Sequence, residues 1–396
     1  MTDVYATVIG SGVIGTAIGY ELSRMTDEPV VLIDKNPNFP GENQTSRNSG
    51  VIHSGVYYHR EKSPLKAKLC VEGNKLLYDF CEENNVPSRK TGKLIIATNE
   101  QEDGYIDKLL INSRKNRVPG VEKIDSERVG ELEENVEAYS ALWIPTAGIV
   151  EPTALTKRLY QLSGLEGHTL LGTEVKKITP RKDEFILKVS TDGNEEEFTT
   201  RYIFNAAGLY GDEVARMANP DFELTTFPVR GEFAKFYQSR DDLNISRNVY
   251  PTPIFYKKPD GTDHLTVGVH LTPTFSVDTE GKFEKDSQGF KTGREVMVGP
   301  LNRKRGEEVG KEDFGGDLES PGSFYEKIKD FFPGINPEDL SLHQTGIQSV
   351  LANSSDLHIA PDKKHPRMIN SVGICSPGLT ASLAAAKRAT RYPKTP

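Results

Sequence analysis

Disulfides, membrane spans and nucleic-acid binding all find little support in this sequence. Its 396 residues include three cysteines, Cys70, Cys81 and Cys375. None belongs to a CxxC pair, and an odd count gives no complete disulfide framework. A reducing, cytoplasmic setting is therefore expected. No run of about 18 apolar residues occurs, so no membrane-spanning helix is expected; peripheral contact with a membrane stays open. The opening MTDVYATVIG has no basic n-region and does not read as a signal peptide. Long basic runs are missing, and the net charge is −8. Binding a phosphate backbone needs clustered Lys and Arg, so nucleic acid is not an expected partner. An anionic ligand would have to be attracted by local charge, because the global field opposes it. What remains is an ordinary globular composition, 36% hydrophobic and 27% charged, long enough for two or three domains.

The first fifty residues carry the strongest motif. A short apolar run, Tyr5 to Ile9, reads as a buried strand. Gly10-x-Gly12-x-x-Gly15 follows, and then Ala17, Ile18, Leu22 and Met25 recur at helical spacing. A second apolar strand, PVVLID, ends in Asp34. This is a dinucleotide-binding fingerprint in its full strand–turn–helix–strand–acid setting. Gly10 makes the tight turn, Gly12 lets the backbone approach a pyrophosphate, and Gly15 packs helix on strand. Val13 and Ile14 open the helix, whose free N–H groups and partial positive charge suit phosphates. Asp34 can accept from both ribose hydroxyls, and it repels a 2′-phosphate. Lys35 follows it at the same site. The next polar stretch, GENQTSRNS, supplies Thr45, Ser46, Arg47, Asn48 and Ser49, side chains able to hold phosphate or flavin. An NAD enzyme would more often continue there with a crossover helix, so FAD is the expected cofactor.

Beyond this point the chain resembles a known family. TSRNSGVIHSGVYY, SPLKAKLCVEGNKLLYDFC, GKLIIAT, PTAGIVEPTALT, NAAGLYGDEVARM, FPVRGEF, VYPTP, GVHLTP and SPGLTASLAAA follow in order. Together they resemble the L-2-hydroxyglutarate dehydrogenases/oxidases of the FAD-dependent D-amino-acid-oxidase and glycerol-3-phosphate-dehydrogenase superfamily. The likeness is weakest over residues 275–325, an unusually charged stretch in which only VMVGP is familiar. The resemblance implies oxidation of L-2-hydroxyglutarate to 2-oxoglutarate by hydride transfer from C2 to flavin N5, with a histidine base. It also implies a dicarboxylate substrate and an electron acceptor that is oxygen, a quinone or a carrier protein. A glycerol-3-phosphate dehydrogenase or amino-acid oxidase of the same superfamily is the alternative enzyme. A non-catalytic flavin-binding interaction protein is the alternative of another class.

The expected fold is α/β. A Rossmann-type FAD domain with a mixed central sheet is assembled from residues 1–88, 150–225 and 343–396. A second, α+β substrate domain on an antiparallel sheet takes residues 89–149 and 226–342. Ser63-Pro64 reads as a helix start, and Asp192-Gly193 as a hairpin turn. EFAKFY and HLTVGVHL alternate like sheet strands. Residues 278–320 show no clear period and are expected as a long surface excursion.

His53 lies between Gly50 and Gly55, where bare backbone lets another body, the flavin, approach. Its ordinary pKa suits a base at neutral pH; a covalent flavin link and a purely structural role are the competing readings. His270, in VGVHLTP, is kept by the family pattern, which implies a substrate ligand or alternative base. Arg230 is placed to grip a carboxylate with its planar fork, unless a salt bridge to Glu232 occupies it. Tyr250 and Tyr256 are candidate substrate hydrogen-bond donors, with core packing as the default. The helix start at Gly378, Leu379 and Thr380 suits negative charge developing on the flavin. Ala207 and Gly208 are small enough for close backbone approach. Val175 is placed against the adenine by superfamily position. No metal site is expected.

Overall fold

The computed structural model describes residues 3–257, 263–302, 309–315 and 318–392; for 254–257 and 263–266 it describes the backbone only. Among these residues, two eight-stranded sheets organise the chain.

The first sheet is mixed. Its path runs Thr173–Pro180, Phe185–Thr191, Asn194–Asn205, Val4–Ile9, Val30–Ile33 and Thr169–Leu170; Met368–Val372 joins beside Asn194–Asn205, and His358–Pro361 pairs with it. Asn194–Asn205 serves both halves: Asn194 to Thr200 pair antiparallel in the hairpin, and Thr200 to Asn205 pair parallel with Val4–Ile9. The turn is the expected Asp192-Gly193, both at positive φ, which matches the twist of hairpin strands. Alternation sorts the strand side chains. Ala6, Val8, Val30 and Leu32 pack under the helices Val13–Ser23, Pro64–Glu83, Pro152–Ser163 and Gly378–Ala389. Ile9 and Ile33 face the other way, toward Val214 and Ala215 of the helix Gly211–Ala218. Met25 falls beyond the first helix and is 52% exposed, so it does not extend that helix's buried face.

The second sheet is antiparallel but for one pair. Its order is Ser341–Leu351, Thr226–Tyr237, Thr292–Asn302, His270–Phe275, Asn248–Pro251, Lys93–Ala97, Ser140–Ile144 and Glu122–Asp125. Asn248–Pro251 and Lys93–Ala97 are the parallel pair. One face carries Leu94, Ile96, Val249, Leu271, Val296 and Val298 against Phe324, Ile328 and Phe332. The opposite face carries Ile95, Ala97 and Tyr250 against the helix Glu100–Asn116 and residues Val51, Val56 and Tyr57.

Three expectations need correction. The strand Ser341–Leu351 belongs to the second sheet, so sheet membership moves the start of the last flavin-side piece from 343 to beyond Leu351. Residues 278–320 are not one surface excursion, because Thr292–Asn302 is an inner strand with Val296 and Val298 fully buried. The alternation of EVMVGPL was the overlooked sign. HLTVGVHL divides in two: Asp263–Thr266 pairs with Ile254–Lys257 in a separate ribbon, and His270 opens a strand of the large sheet. Tyr256 sits on that ribbon, and its side chain lies outside the described residues. Among the described residues, no helix is long and apolar enough to cross a membrane.

Candidate active site

A cavity of about 2170 Å³ is walled by both sheets and reaches from Gly10 and Asp34 to His53, Tyr250 and His270. That exceeds the roughly 300–1,000 Å³ typical of a small-ligand pocket, and suits a dinucleotide together with a substrate.

The nucleotide end is made largely of main chain. Gly10 has φ +104°, and a Cβ there would stand 2.4 Å from Ala206 O. A Cβ on Gly15 would stand 1.8 Å from Gly10 O, so Gly15 is a packing glycine behind the wall. Gly12, Val13 and Ile14 line the cavity at the helix start. One of the helix's orphan donors is already taken: Val13 N–H donates to Thr45 Oγ1 at 3.0 Å. Asp34 follows the strand Val30–Ile33. Its Oδ2 accepts from Ser11 N–H at 2.6 Å and Ser11 Oγ at 2.7 Å, and its Oδ1 accepts from Asn36 N–H at 2.8 Å. The carboxylate thus braces the glycine turn while keeping its place on the cavity wall. Val175, Ala207 and Gly208 also line this end.

The polar loop 41–49 has mixed duties. Arg47, Asn48 and Ser49 reach the cavity with Thr45, but Ser46 does not. Its hydroxyl donates to Gly41 O and Asn43 O and receives Asn43 N–H, which holds the loop in shape. Asn48 also serves the loop, donating to Thr45 O at 2.7 Å and accepting from Gly50 N–H at 2.8 Å. Arg47 pairs with Glu42 at 2.6 Å and stacks 4.7 Å from the Phe314 ring centroid. Lys35 turns to Glu312 and lies 3.8 Å from the Tyr210 ring centroid. Residues 309–315, part of the charged stretch, therefore lie along this wall.

At the other end, Ile52 closes a two-residue strand and His53 follows it. The flanking glycines answer to the protein's own packing and not to a flavin. A Cβ on Gly50 would stand 2.6 Å from Val150 O, and one on Gly55 2.8 Å from Val71 Cγ2. His53 N–H donates to Thr380 Oγ1 at 2.9 Å, and Asn74 Nδ2 donates to His53 O at 2.9 Å. Thr380 is fully buried and lies behind the wall, so it orients His53 where a cofactor contact was expected. Gly378 and Leu379 do line the cavity, although Gly378 N–H is donated to Cys375 O.

Both ring nitrogens of His53 have protein neighbours. Nε2 is 3.2 Å from Ser376 Oγ, which is 3.2 Å from Tyr58 OH. Nδ1 is 3.5 Å from Lys93 Nζ. Burial first, and then the lysine charge, hold the imidazole well below its ordinary pKa. His270 is 2% exposed at the start of its strand, with Nδ1 3.0 Å from Thr272 Oγ1. Its ring stacks on Tyr250 at 3.8 Å and 8°. Burial, then Lys93 and His53, lower its pKa strongly too. Tyr57 completes the group; its buried OH has no hydrogen-bond partner among the described residues.

Arg230 stands on the long strand Thr226–Tyr237, near a bulge between Phe233 and Ala234. Arg230 lines the cavity, whereas Ala234 and Phe236, beyond the register shift, face the helices. It is 1% exposed and held by two acids: Nη1 is 2.9 Å from Asp313 Oδ2, and Nη2 is 3.3 Å from Glu232 Oε1. Its Nε has no hydrogen-bond partner among the described residues.

Sequence reasoning brought His53, His270, Tyr250 and Arg230 to one cavity but missed Lys93, Tyr57, Ser376 and Asp313. For Lys93 the signal was a lysine opening an otherwise apolar strand, KLIIA, in step with Ile95 and Ala97. For Tyr57 and Ser376 only their nearness to His53 and to the last helix was available.

The N-terminal cradle suits a dinucleotide, and known flavoproteins resemble this chain. The FAD dependent oxidoreductase (DAO) family matches residues 6–392. An L-2-hydroxyglutarate dehydrogenase from Indibacter alkaliphilus is 28% identical over 405 residues, covering 96% of each chain. A mitochondrial L-2-hydroxyglutarate dehydrogenase from Caenorhabditis elegans is 34% identical over 278 residues, 68% of this chain and 61% of that one. In structure, the L-α-glycerophosphate oxidase of Mycoplasma pneumoniae aligns with a TM-score of 0.80 at 23% identity, over 99% of this chain and 95% of its own. The cradle at Gly10, the helix start at Val13 and the wall of small residues at Ala207 and Gly208 fit FAD, which is the cofactor. The chain is an enzyme and belongs to the FAD dependent oxidoreductase family.

Proposed function

We propose that this enzyme oxidises L-2-hydroxyglutarate to 2-oxoglutarate, with His53 as the base. The observation that carries the reading is an imidazole kept in its free-base form on the wall of a dinucleotide-sized cavity. The relatives named above, one of them similar along nearly its whole length, support the choice of substrate.

FAD, when bound, supplies the hydride acceptor for C2. Gly12, Val13, Ile14, Asp34, Thr45, Arg47, Asn48, Ser49, Val175, Ala207, Gly208, Gly378 and Leu379 are the residues that would hold it, with Lys35 at the rim. Gly15, Ser46 and Thr380 support them from behind. Non-covalent binding is favoured, because both His53 ring nitrogens already have side-chain neighbours. His53 Nε2 takes the hydroxyl proton; its lowered pKa keeps it unprotonated at neutral pH. Arg230 donates through its fork to a substrate carboxylate, which takes the place of Asp313. The Tyr57 hydroxyl and the His270–Tyr250 stack order the remaining polar atoms. Oxygen, a quinone or a carrier protein then removes the electrons.

The test is anaerobic addition of L-2-hydroxyglutarate to the purified holoenzyme while following the oxidised-flavin absorbance. Rapid bleaching, absent with the D-isomer and with glycerol 3-phosphate, is expected. A yellow protein that none of the three bleaches, or that glycerol 3-phosphate bleaches first, refutes the substrate assignment.

A further inference from the structure

Among the described residues, Lys93 is the one buried cation that the proposed reaction leaves without a task. It is 1% exposed on the strand Lys93–Ala97. Its ammonium position lies 3.7 Å from the Tyr250 ring centroid, 5.6 Å from that of Tyr57 and 3.5 Å from His53 Nδ1. No carboxylate pairs with it among the described residues. The groups that face it are neutral. Cys70, on the helix Pro64–Glu83, has its thiol pushed far up by burial. The phenols of Tyr57 and Tyr250 are raised well above their ordinary value, and Tyr58, beyond Ser376, is raised as well. His270 is held well below its own. Aromatic faces offset only part of the cost of burying an ammonium, so burial governs, and it brings Lys93 down to about 7. An amine there both takes and gives a proton at neutral pH.

We propose that Lys93 and His53 form a two-site proton couple, in which neutral Lys93 receives the Nδ1 proton of His53 as Nε2 takes the substrate's hydroxyl proton. The proposal rests on the reading of His53 as the base. The substrate's O–H bond breaks and its proton goes to His53 Nε2. The O–H electron pair becomes the second C–O bond as C2 is oxidised, its hydride reducing the FAD. The His53 Nδ1–H bond breaks in turn and a new N–H bond forms on Lys93 Nζ. The imidazole is neutral before and after, and the positive charge ends against the aromatic faces. A separation of 3.5 Å is long for a hydrogen bond, and such contacts tighten when substrate binds. Lys93 is a positioning residue in this scheme, because it acts through His53.

Two measurements decide it. The first is nitrogen-15 NMR of histidine-labelled holoenzyme across pH about 6 to 9, with His53 assigned by its loss in His53→Gln. Above about pH 7, neutral Lys93 accepts from Nδ1–H; below it, the ammonium donates and the ring proton moves to Nε2. The wild type should therefore switch tautomer near 7 while His53 stays neutral, and Lys93→Met should not switch. A His53 with one fixed tautomer, or one that simply becomes doubly protonated, overturns the couple. The second is the anaerobic rate of flavin bleaching against pH. The wild-type rate should rise through about 7, and Lys93→Met and permanently charged Lys93→Arg should each be slower by about tenfold or more at pH 8. Wild-type rates and profile in Lys93→Met overturn the proposal. If no 2-hydroxy acid bleaches the wild type, the substrate reading fails, and the tautomer switch still decides the couple.

Discussion

At the nucleotide end, the wall comes mainly from short sequence separations: Gly10, Gly12, Ser11 and Asp34 lie within one strand–turn–helix–strand unit. Backbone groups and one carboxylate shape that wall. At the reaction end, Lys93, Arg230, Tyr250 and His270 come from four strands of the second sheet, while His53 follows the short strand Val51–Ile52 and Ser376 precedes the last helix. There the side chains matter: Lys93, Arg230, Tyr250 and His270 are buried, and Tyr250 stacks on His270. One end is a local motif that a fold can inherit whole. The other exists only when these separate segments meet, so the two ends should fail separately.

The largest separation is expected for His53→Gln. Removing a general base should lower the rate of flavin reduction by about 10²–10⁴-fold, with FAD content unchanged after dialysis. Loss of FAD together with turnover would break the contrast between the ends. Lys93→Met comes next and tests cost in place of rate. Unfolded Lys93 holds its proton up to its ordinary 10.5, whereas in the fold it loses it near 7. Between those values the unfolded chain binds more protons, so stability rises with pH; below about 7 the burial penalty is complete. Met removes that penalty. Urea unfolding should show the variant more stable at pH 6, by at most about 5 kcal/mol, with the gain fading toward pH 10. A gain independent of pH would contradict a buried titrating amine.

Asp34→Ala probes the first end. Losing hydrogen bonds to a charged group costs about 1.5–3 kcal/mol, so FAD should bind roughly 10- to 100-fold more weakly. The rate of the fully loaded variant should stay near wild type; a fall like that of His53→Gln would mean the ends are coupled. Arg230→Lys is expected to do least. The charge stays beside Glu232 and Asp313 and the fork is lost, so KM for the dicarboxylate should rise about tenfold with little change in kcat. Unaltered KM would remove Arg230 from the substrate site.

The same contrast explains what was legible. The fingerprint could be read because its residues are neighbours in sequence, and each glycine has a steric reason visible in the pattern. Asp192-Gly193 and Ser63-Pro64 were legible for the same cause. His53 stood out by composition, although the reason given for its glycines was wrong: they admit Val150 O and Val71, contacts made across long separations. Lys93 was hidden because strand alternation shows that it shares a face with Ile95, but not that His53 waits on that face. Thr292–Asn302 was obscured by the charges on either side of its buried valines. Nothing local in FPVRGEF marks Arg230 as the buried partner of Asp313.

The shared wall has a consequence for mass action. Because both sheets contribute to one large cavity, whatever fills it touches both, and the unfolded chain offers it no equivalent place. Free FAD at about a thousand times its dissociation constant would add about 4 kcal/mol to the stability of the folded form. The melting temperature of this enzyme is thus a property of the solution as much as of the chain. Heat resistance recorded at one flavin concentration belongs to that concentration, and a series of melts at rising FAD would weigh the cradle without any substrate at all.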